Sequence, residues 1–206
     1  MKNDISCIHL IRHGITEGNI KRWYYGASDI PLSSEGKSRL SELKKENIYP
    51  CYENADYYTT GLIRTEQTMQ IIYGEREHSV LQALREMDFG DFEMKTHADL
   101  ELSSAYQEWI NDASGMTAPR GGESISAFQN RVAAGFEDFL SLHAARAAQT
   151  AEPVHSVVIC HGGPIGVIML QSFPGIREHI YKWIPDPGRG YTIEIKKNMP
   201  VGYSKI

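Results

Sequence analysis

The hydrophobic pattern of the chain predicts two buried strands far apart in the sequence. Short apolar, β-branched runs occupy 5–11 and 154–160, and glycine soon follows each of them. Runs without polar alternation are typical of parallel strands that are covered on both faces. His13 lies two residues beyond the first run, and His161 directly follows the second. Because ligands bind outside the carboxyl ends of strands in open parallel sheets, we expect both imidazoles at one crevice.

Other periodic stretches predict strands and helices that alternate along the chain, which indicates an α/β domain spanning 1–206. Residues 16–29 are predicted to be a loop, and 87–123 an irregular, partly helical insertion over the sheet. The further strands are expected at 55–60, 79–84 and 191–195, and the helices at 34–45, 62–72, 100–111, 125–143 and 165–170.

Composition and charge narrow the class of protein. With 206 residues, 41% hydrophobic and 23% charged, the chain is typical of one globular domain, and it has no apolar run near the roughly 20 residues of a membrane span. Residues 1–4 lead straight into a predicted strand and do not resemble a signal peptide, so a cytoplasmic location is expected. A net charge of −5 without a dense Lys/Arg run argues against nucleic-acid and membrane partners.

Cysteine and histidine spacing indicates neither a disulfide framework nor a metal site. Cys7, Cys51 and Cys160 form no C-x-x-C pair, and no H-E-x-x-H stretch occurs. We therefore expect no metal and no other cofactor.

Residues that can carry charge follow each of the first four predicted strands. They are Arg12 and His13, then Arg64, then Glu86, and finally His161. Guanidinium forks match phosphate oxygens, and a neutral imidazole can attack phosphorus. A carboxylic acid could protonate the leaving oxygen and later deprotonate water. If the strands are parallel neighbours, the sequence predicts phosphoryl transfer without a metal.

Six sequence blocks in order resemble the histidine phosphatase superfamily, in its phosphoglycerate mutase-like branch. The blocks are RHGITEGN at 12–19, YGxxDxPLSxxG at 25–36, LxRTxxT at 62–68, LREMDFGDFE at 84–93, GGES at 121–124 and CHGG at 160–163. The resemblance implies a three-layer α/β/α sandwich with a mostly parallel central sheet.

Carried over residue by residue, the resemblance also implies functional roles. It makes His13 the phosphorylated nucleophile and Glu86 the proton donor, with a small phosphomonoester as substrate. The residues implied to hold the phosphoryl group or the substrate are Arg12, Arg64, His161, Asn19, Thr16, the Gly162 backbone N–H, Tyr25 and Gly26.

Within the superfamily, the chain is most similar to small phosphatases such as α-ribazole phosphatase and broad-specificity phosphatases. Cofactor-dependent phosphoglycerate mutases typically carry Trp where this chain has Gly18, and a longer basic insertion where it has only Lys95 and Arg120 as Lys/Arg cations. A phosphatase is the leading hypothesis, and a mutase-type phosphotransferase or a phosphate-binding protein without catalysis are the alternatives.

The sequence leaves the substrate and the oligomeric state open. Trp23, Tyr24 and Tyr25 either shape a substrate mouth or form a packed loop. A homodimer is compatible with the sequence.

Overall fold

The computed structural model describes residues 5–206; residues 1–4, on which the expectation of no signal peptide rests, lie outside the described part. The strands are β1 Ile5–Arg12, β2 Asp56–Thr59, β3 Ser79–Val80, β4 His155–Cys160, β5 Gly190–Lys196 and β6 Met199–Lys205. The helices are α1 Glu17–Lys21, α2 Ser34–Lys45, α3 Ile63–Tyr73, α4 His97–Leu100, α5 Ser104–Asn111, α6 Ile125–Ala148 and α7 Gly162–Ser172.

The strands form one mostly parallel sheet in the order β3-β2-β4-β1-β5-β6. The first four strands in this order are parallel to one another, and β5 is antiparallel to β1 and β6. Alternate side chains of the central strands enter two hydrophobic clusters, one with α6 and α7 and the other with α2 and α3. The predicted α/β fold with helices on both faces is therefore confirmed.

The register of β1 and β4 determines where the two predicted histidines lie. Arg12 pairs with Cys160, and the N–H of His13 extends the parallel ladder by donating to the Cys160 carbonyl at 3.0 Å. His13 and His161 therefore leave neighbouring strands at the same edge of the sheet, as the hydrophobic runs predicted.

The long helix predicted to begin at residue 125 is α6, and it buries the stripe of apolar residues that the sequence predicted. Ser124 caps α6 by accepting from the Ala127 N–H, and the aromatic stripe of the helix is buried in the core. Phe128, Val132 and Phe136 are each at most 5% exposed. The stripe therefore attaches α6 to one face of the sheet, where Phe128 reaches the cavity described below.

Two predicted elements are wrong in extent. The strand expected at 79–84 contains only β3, because the chain turns into a 3₁₀ turn at Gln82–Leu84 and buries Leu84 completely. The helix expected at 100–111 begins only at Ser104, as α5, and a separate short helix, α4, ends at Leu100. Thr96 and Asp99 form a reciprocal capping box that begins α4, and the chain breaks before α5 begins at Ser104.

Two further elements were not predicted. The segment 16–29, expected to be a loop, begins with α1, whose capping box joins Thr16 and Asn19. The strand β6 returns along β5 through Lys197 and Asn198, both at positive φ, which is the backbone that a two-residue type I′ hairpin requires. In residues 5–206, no helix has the length and apolar character needed to cross a membrane.

Candidate active site

The two histidines at the strand ends contact each other below the protein surface. The ring centroids of His13 and His161 are 5.2 Å apart with the planes at 65°, and the residues are 3% and 0% exposed. Such an edge contact keeps the ring nitrogens free to take different hydrogen-bond partners. The surroundings of each ring therefore determine what it can do.

The backbone fixes the tautomer of His13. Its Nδ1 lies 2.7 Å from the carbonyl oxygen of Gly14, which can only accept, so Nδ1 carries the proton and Nε2 has the free lone pair. Burial, and then the cations of Arg64 and Arg12, hold the pKa of His13 well below its ordinary value. The side chain is therefore a neutral imidazole at neutral pH, which is the nucleophilic form.

His161 has the opposite tautomer. Its Nδ1 accepts from Nε of Arg64 at 3.3 Å, so Nε2 carries the proton and donates to the Thr60 hydroxyl at 2.8 Å. The Thr60 hydroxyl lies 3.3 Å from that of Thr65, which donates to the carbonyl of Leu62. This chain of hydrogen bonds anchors the imidazole to the end of β2 and the beginning of α3.

Arg64 is a completely buried cation in the first turn of α3. Its Nη1 and Nη2 donate at 2.8 Å to the carbonyls of Ser28 and Gly26, and its guanidinium lies 5.2 Å from the ring centroid of Tyr25. A guanidinium has five N–H donors, so two remain after the contacts with Ser28, Gly26 and His161. Arg64 therefore brings an oriented positive charge with unused donors to the cavity.

Arg12 is the second cation at this edge. Its Nη1 donates to the Pro185 carbonyl at 2.8 Å, whereas its buried Nε has no hydrogen-bond partner within residues 5–206. A Cβ added at Gly162 would approach that Nε to 3.2 Å, which places it at the N-terminus of α7. A buried, unpaired donor beside a helix N-terminus is a favourable environment for an anion.

The carboxylate of Glu86 lines the same cavity and is bonded to the first turn of α7. Its Oε2 accepts from the Gly163 N–H at 2.9 Å, and its Oε1 accepts from the Met87 N–H at 3.0 Å. A Cβ at Gly163 would overlap Oε1, so the close approach requires glycine. These two hydrogen bonds fix Glu86 at the cavity that it lines.

These groups surround a cavity of about 280 Å³. We call the five charged, histidine or amide side chains that line the cavity its base, and the apolar or aromatic side chains that line it its walls. The polar residues are Arg12, His13, Asn19, Arg64 and Glu86, and the wall includes Trp23, Tyr24, Tyr25, Met87, Phe89, Trp109, Ile125, Phe128, Ile180, Tyr181 and Ile184. The cavity thus combines a local cationic site with apolar walls, although the whole chain has a net charge of −5.

Four residues predicted at the site lie behind the cavity wall rather than among the described residues that line it. Thr16 is fully buried, with its hydroxyl 2.7 Å from that of Tyr25. His161 contacts His13, which lines the cavity, and Gly162 begins α7. Gly26 gives its carbonyl to Arg64. These residues support the residues that line the cavity.

Asn19 lines the cavity and shares the capping box of α1. Its side-chain oxygen accepts from the Thr16 N–H at 3.0 Å, which leaves the amide nitrogen as the group able to donate to a ligand. Position 18 in this helix requires glycine, because a Cβ there would lie 2.5 Å from the Tyr25 ring.

Sequence reasoning missed two residues that support the site. Thr60 could have been suspected because it ends a predicted strand next to Gly61. Glu93 lies in the fourth motif block and accepts from the N–H of Gly26, whose carbonyl holds Arg64, but nothing in the sequence indicated this contact. The apolar walls at Trp109 and at 180–184 were also missed, since these residues come from segments without a motif.

Comparison with known proteins identifies the family. The model of the histidine phosphatase superfamily (branch 1) matches residues 8–201. The adenosylcobalamin/alpha-ribazole phosphatase of Escherichia coli (strain K12) is 28% identical over 195 residues, covering 91% of this chain and 89% of that protein. A 2,3-bisphosphoglycerate-dependent phosphoglycerate mutase of Rhizobium etli is 29% identical over 136 residues, covering 62% of this chain and 64% of that protein.

The fold of this chain is similar to that of solved structures over nearly its whole length. The alpha-ribazole phosphatase from Shigella flexneri superposes with a TM-score of 0.74 and 25% sequence identity, covering 94% of this chain and 92% of that one.

Proposed function

Because the chain belongs to branch 1 of the histidine phosphatase superfamily, we propose that it is a metal-independent phosphomonoester hydrolase that works through a phosphohistidine at His13. The observation that carries the proposal is the neutral imidazole whose Nδ1–H is held by the Gly14 carbonyl, beside two arginines in one cavity. A phosphoryl group needs this combination of a nucleophile and fixed positive charge.

In the first step, Nε2 of His13 attacks phosphorus, the N–P bond forms, and the ester P–O bond breaks. Glu86 in its acid form gives a proton to the leaving oxygen, which departs as an alcohol. Arg12 and Arg64 stabilise the equatorial oxygens, and Asn19 offers a further donor. The products of this step are the alcohol, the phosphoenzyme and the carboxylate of Glu86.

In the second step, water attacks the phosphohistidine. The Glu86 carboxylate takes a proton from the water as the O–P bond forms, the N–P bond breaks, and inorganic phosphate leaves. This regenerates both the neutral imidazole and the acid form of Glu86, so the cycle balances. His161 holds Arg64 through Nδ1 and is itself held by Thr60, so its role is to keep the base of the cavity in place.

The walls of the cavity support a phosphomonoester whose leaving group carries an apolar or ring-shaped part. Tyr24, Phe89 and Trp109 pack with ring centroids 5.3 to 6.1 Å apart, so they form a preformed aromatic surface. The relatives named as alpha-ribazole phosphatases make α-ribazole phosphate one substrate to test. Initial rates on a panel of alkyl, sugar, nucleoside and aryl phosphates should rise with the apolar area of the leaving group.

The test of the mechanism is hydrolysis of an aryl phosphate in EDTA by the wild type and by His13→Ala. We expect activity in the wild type, an acid-labile phosphoenzyme after rapid quenching, and loss of both in the variant. Equal activity in His13→Ala would rule out the mechanism, and activity lost in EDTA and restored by a metal would rule out metal independence.

A mutase is the second candidate, because the same phosphohistidine can return its phosphoryl group to a substrate and one relative carries a mutase name. The position where such mutases have Trp is Gly18 here, and the Tyr25 ring fills the space beside it. Lys95 and Arg120, the Lys/Arg cations between Glu86 and Glu123, do not line the cavity. Interconversion of 2- and 3-phosphoglycerate faster than hydrolysis, with a bisphosphoglycerate primer, would favour the mutase.

The third candidate is a phosphate-ligand binding protein without catalysis. Ligand binding with no phosphoenzyme and no hydrolysis would favour it. The cytoplasmic location and the homodimer stay predictions from the sequence.

A further inference from the structure

The carboxylate of Glu93 accepts hydrogen bonds from an unusually large number of backbone donors. Its Oε1 accepts from the N–H groups of Gly26, Ala27 and Phe89 at 2.8, 3.1 and 3.1 Å, and its Oε2 accepts from that of Ser28 at 3.1 Å. Three of these four donors belong to consecutive residues. The carboxylate therefore holds one short loop by its N–H groups.

The same loop holds Arg64 by its carbonyl groups. We call residues 26–29 the Arg64 loop, because the carbonyls of Gly26 and Ser28 accept from the guanidinium. Its last residue, Asp29, accepts from the Ile63 N–H at 2.7 Å and so joins the loop to the first turn of α3, which carries Arg64. The loop is thus placed between a carboxylate on its N–H side and a guanidinium on its C=O side.

This arrangement strengthens the contacts on both sides of the loop. The peptide unit between Gly26 and Ala27 has its N–H on the Glu93 carboxylate and its C=O on the Arg64 guanidinium. The two charges polarise this unit in the same direction, so its two hydrogen bonds reinforce each other. The loop also lies tightly against the segment that carries Glu93, since a Cβ at Gly26 would overlap the Met87 carbonyl. Movement of the carboxylate would therefore be transmitted to the carbonyls that orient Arg64.

We propose that Glu93 is a positioning residue that orients Arg64 toward the phosphoryl group through the Arg64 loop. Glu93 is not among the described residues that line the cavity, so its effect passes through Arg64 and not through contact with substrate. The expected effect of Glu93 on hydrolysis rests on the proposed function. Its effect on the orientation of Arg64 can be measured separately, because an oxyanion binds to Arg64 without turnover.

The test is Glu93→Gln, with orthovanadate affinity by calorimetry and aryl phosphate hydrolysis as the two measurements. The amide keeps one acceptor oxygen but places an NH₂ donor against a backbone N–H, so part of the loop must shift. We expect vanadate affinity and kcat/KM each to fall about tenfold, less than the loss of a direct oxyanion donor. Glu93→Asp retains the charge on a shorter stem, and we expect a smaller fall in both.

Asp112→Asn is the matched control, because Asp112 also holds a loop by accepting from two backbone N–H groups, those of Ser114 and Thr117. That loop does not contact Arg64, so vanadate affinity and kcat/KM should stay within about twofold of the wild type. Urea unfolding of each variant shows whether a loss of affinity reflects a loss of folded protein.

A double-mutant cycle with Arg64→Met tests whether Glu93 acts through Arg64 or stabilises the site as a whole. If Glu93 acts through Arg64, Glu93→Gln should weaken vanadate binding about tenfold in the wild type and leave it nearly unchanged in Arg64→Met. An equal loss in both backgrounds, or no loss in either, overturns the proposal. If Glu93→Gln does not fold, Glu93→Asp enters the same cycle.

The outcomes for the proposed function are distinguishable. A wild type that binds vanadate but hydrolyses nothing refutes the hydrolase, and the vanadate cycle still decides the role of Glu93. If the wild type does not bind vanadate, Arg64 is not an oxyanion ligand, and the proposal for Glu93 is refuted as well.

Discussion

The carboxylate of Glu86 accepts a 2.9 Å hydrogen bond from the backbone N–H of Gly163 in the first turn of α7. First-turn N–H groups have no partner within their own helix and favour negative charge. The contact therefore joins the predicted proton donor, which follows β3, to the helix that follows β4. It also sets the position of the carboxylate relative to the cavity that both residues line.

Gly163→Ala should displace Glu86 and impair protonation of the leaving group. The new Cβ would overlap Oε1 and lie 3.0 Å from the Phe128 ring, so the carboxylate has to move. We expect kcat on alkyl phosphates to fall by roughly 10²-fold, the lower end of a general acid contribution. The loss should be smaller on 4-nitrophenyl phosphate, whose leaving group departs without a proton.

Gly202→Ala serves as the control for this variant, because Gly202 lies on the strand β6 and not at the cavity. Its kcat should equal that of the wild type on both substrates. An equal loss of kcat on both substrates in Gly163→Ala would show that the variant damages the site without acting through the proton donor.

Thr60→Val should loosen His161. The substitution keeps the shape of a fully buried side chain but removes the oxygen that accepts from Nε2 of His161 at 2.8 Å. A buried N–H without a partner costs about 1–3 kcal/mol, so the free energy of unfolding in urea should fall by that amount. Because His161 also accepts from Arg64, kcat should fall too.

Thr65→Val is the comparison for Thr60→Val. Its hydroxyl lies one hydrogen bond further from His161. If the two variants lower kcat equally, the direct contact with the imidazole has no special role.

Local sequence patterns predicted the strand ends, because a buried parallel strand and the glycine after it are visible within ten residues. His13 follows β1 and Arg64 follows β2 as predicted, whereas Glu86 lies six residues beyond the end of β3, outside the strand that the pattern predicted. The missed contacts join distant segments: Glu93 reaches the backbone of Gly26, and Thr60 reaches His161. Such pairs depend on packing and loop conformation, which hydrophobic periodicity does not encode.

The secondary-structure errors have a similar origin. The pattern at 79–84 is apolar enough for a strand, but β3 is at the sheet edge, and burial of Leu84 in the core takes the chain out of the sheet. In contrast, α1 could have been predicted, because Thr16 and Asn19 have the spacing of a capping box.

Arg64→Met should raise the pKa of His13. Burial and the cations of Arg64 and Arg12 hold that pKa well below its ordinary value, so removing one cation favours the imidazolium. In ¹⁵N NMR of the free protein, the wild-type His13 ring should show a protonated Nδ1 and a bare Nε2 at neutral pH and well below the ordinary histidine midpoint of 6.5. In Arg64→Met, the midpoint of Nε2 protonation should move to higher pH.

Arg146→Met is the control for the titration, because Arg146 pairs with Asp56 at 3.4 Å and is not at the cavity. The His13 signal, assigned by its loss in His13→Ala, should titrate as in the wild type. An unchanged midpoint in Arg64→Met would show that the cation of Arg64 does not lower the pKa of His13, and a bare Nδ1 would contradict the tautomer.

Acid should destabilise the fold through two buried histidines outside the cavity. Burial lowers the pKa of His9 to about 3 and that of His143 to about 4. The unfolded chain takes up these protons below about pH 6.5 and the folded chain does not, so the free energy of unfolding falls as pH decreases from 6.5 toward 4. At pH 5 each histidine should lower it by up to about 2 kcal/mol relative to pH 7.5.

The contribution of His143 to this acid sensitivity is measured by urea unfolding of His143→Gln at pH 7.5 and 5.0. His143 bonds to the hydroxyls of Ser156 and Ser6 at 2.8 and 2.7 Å, so the variant should be less stable at pH 7.5. It should nevertheless lose less stability on acidification, because one group that protonates only in the unfolded chain is gone. His179→Gln, at an exposed position, should lose as much as the wild type. If His143→Gln also loses as much, His143 does not contribute to the acid sensitivity.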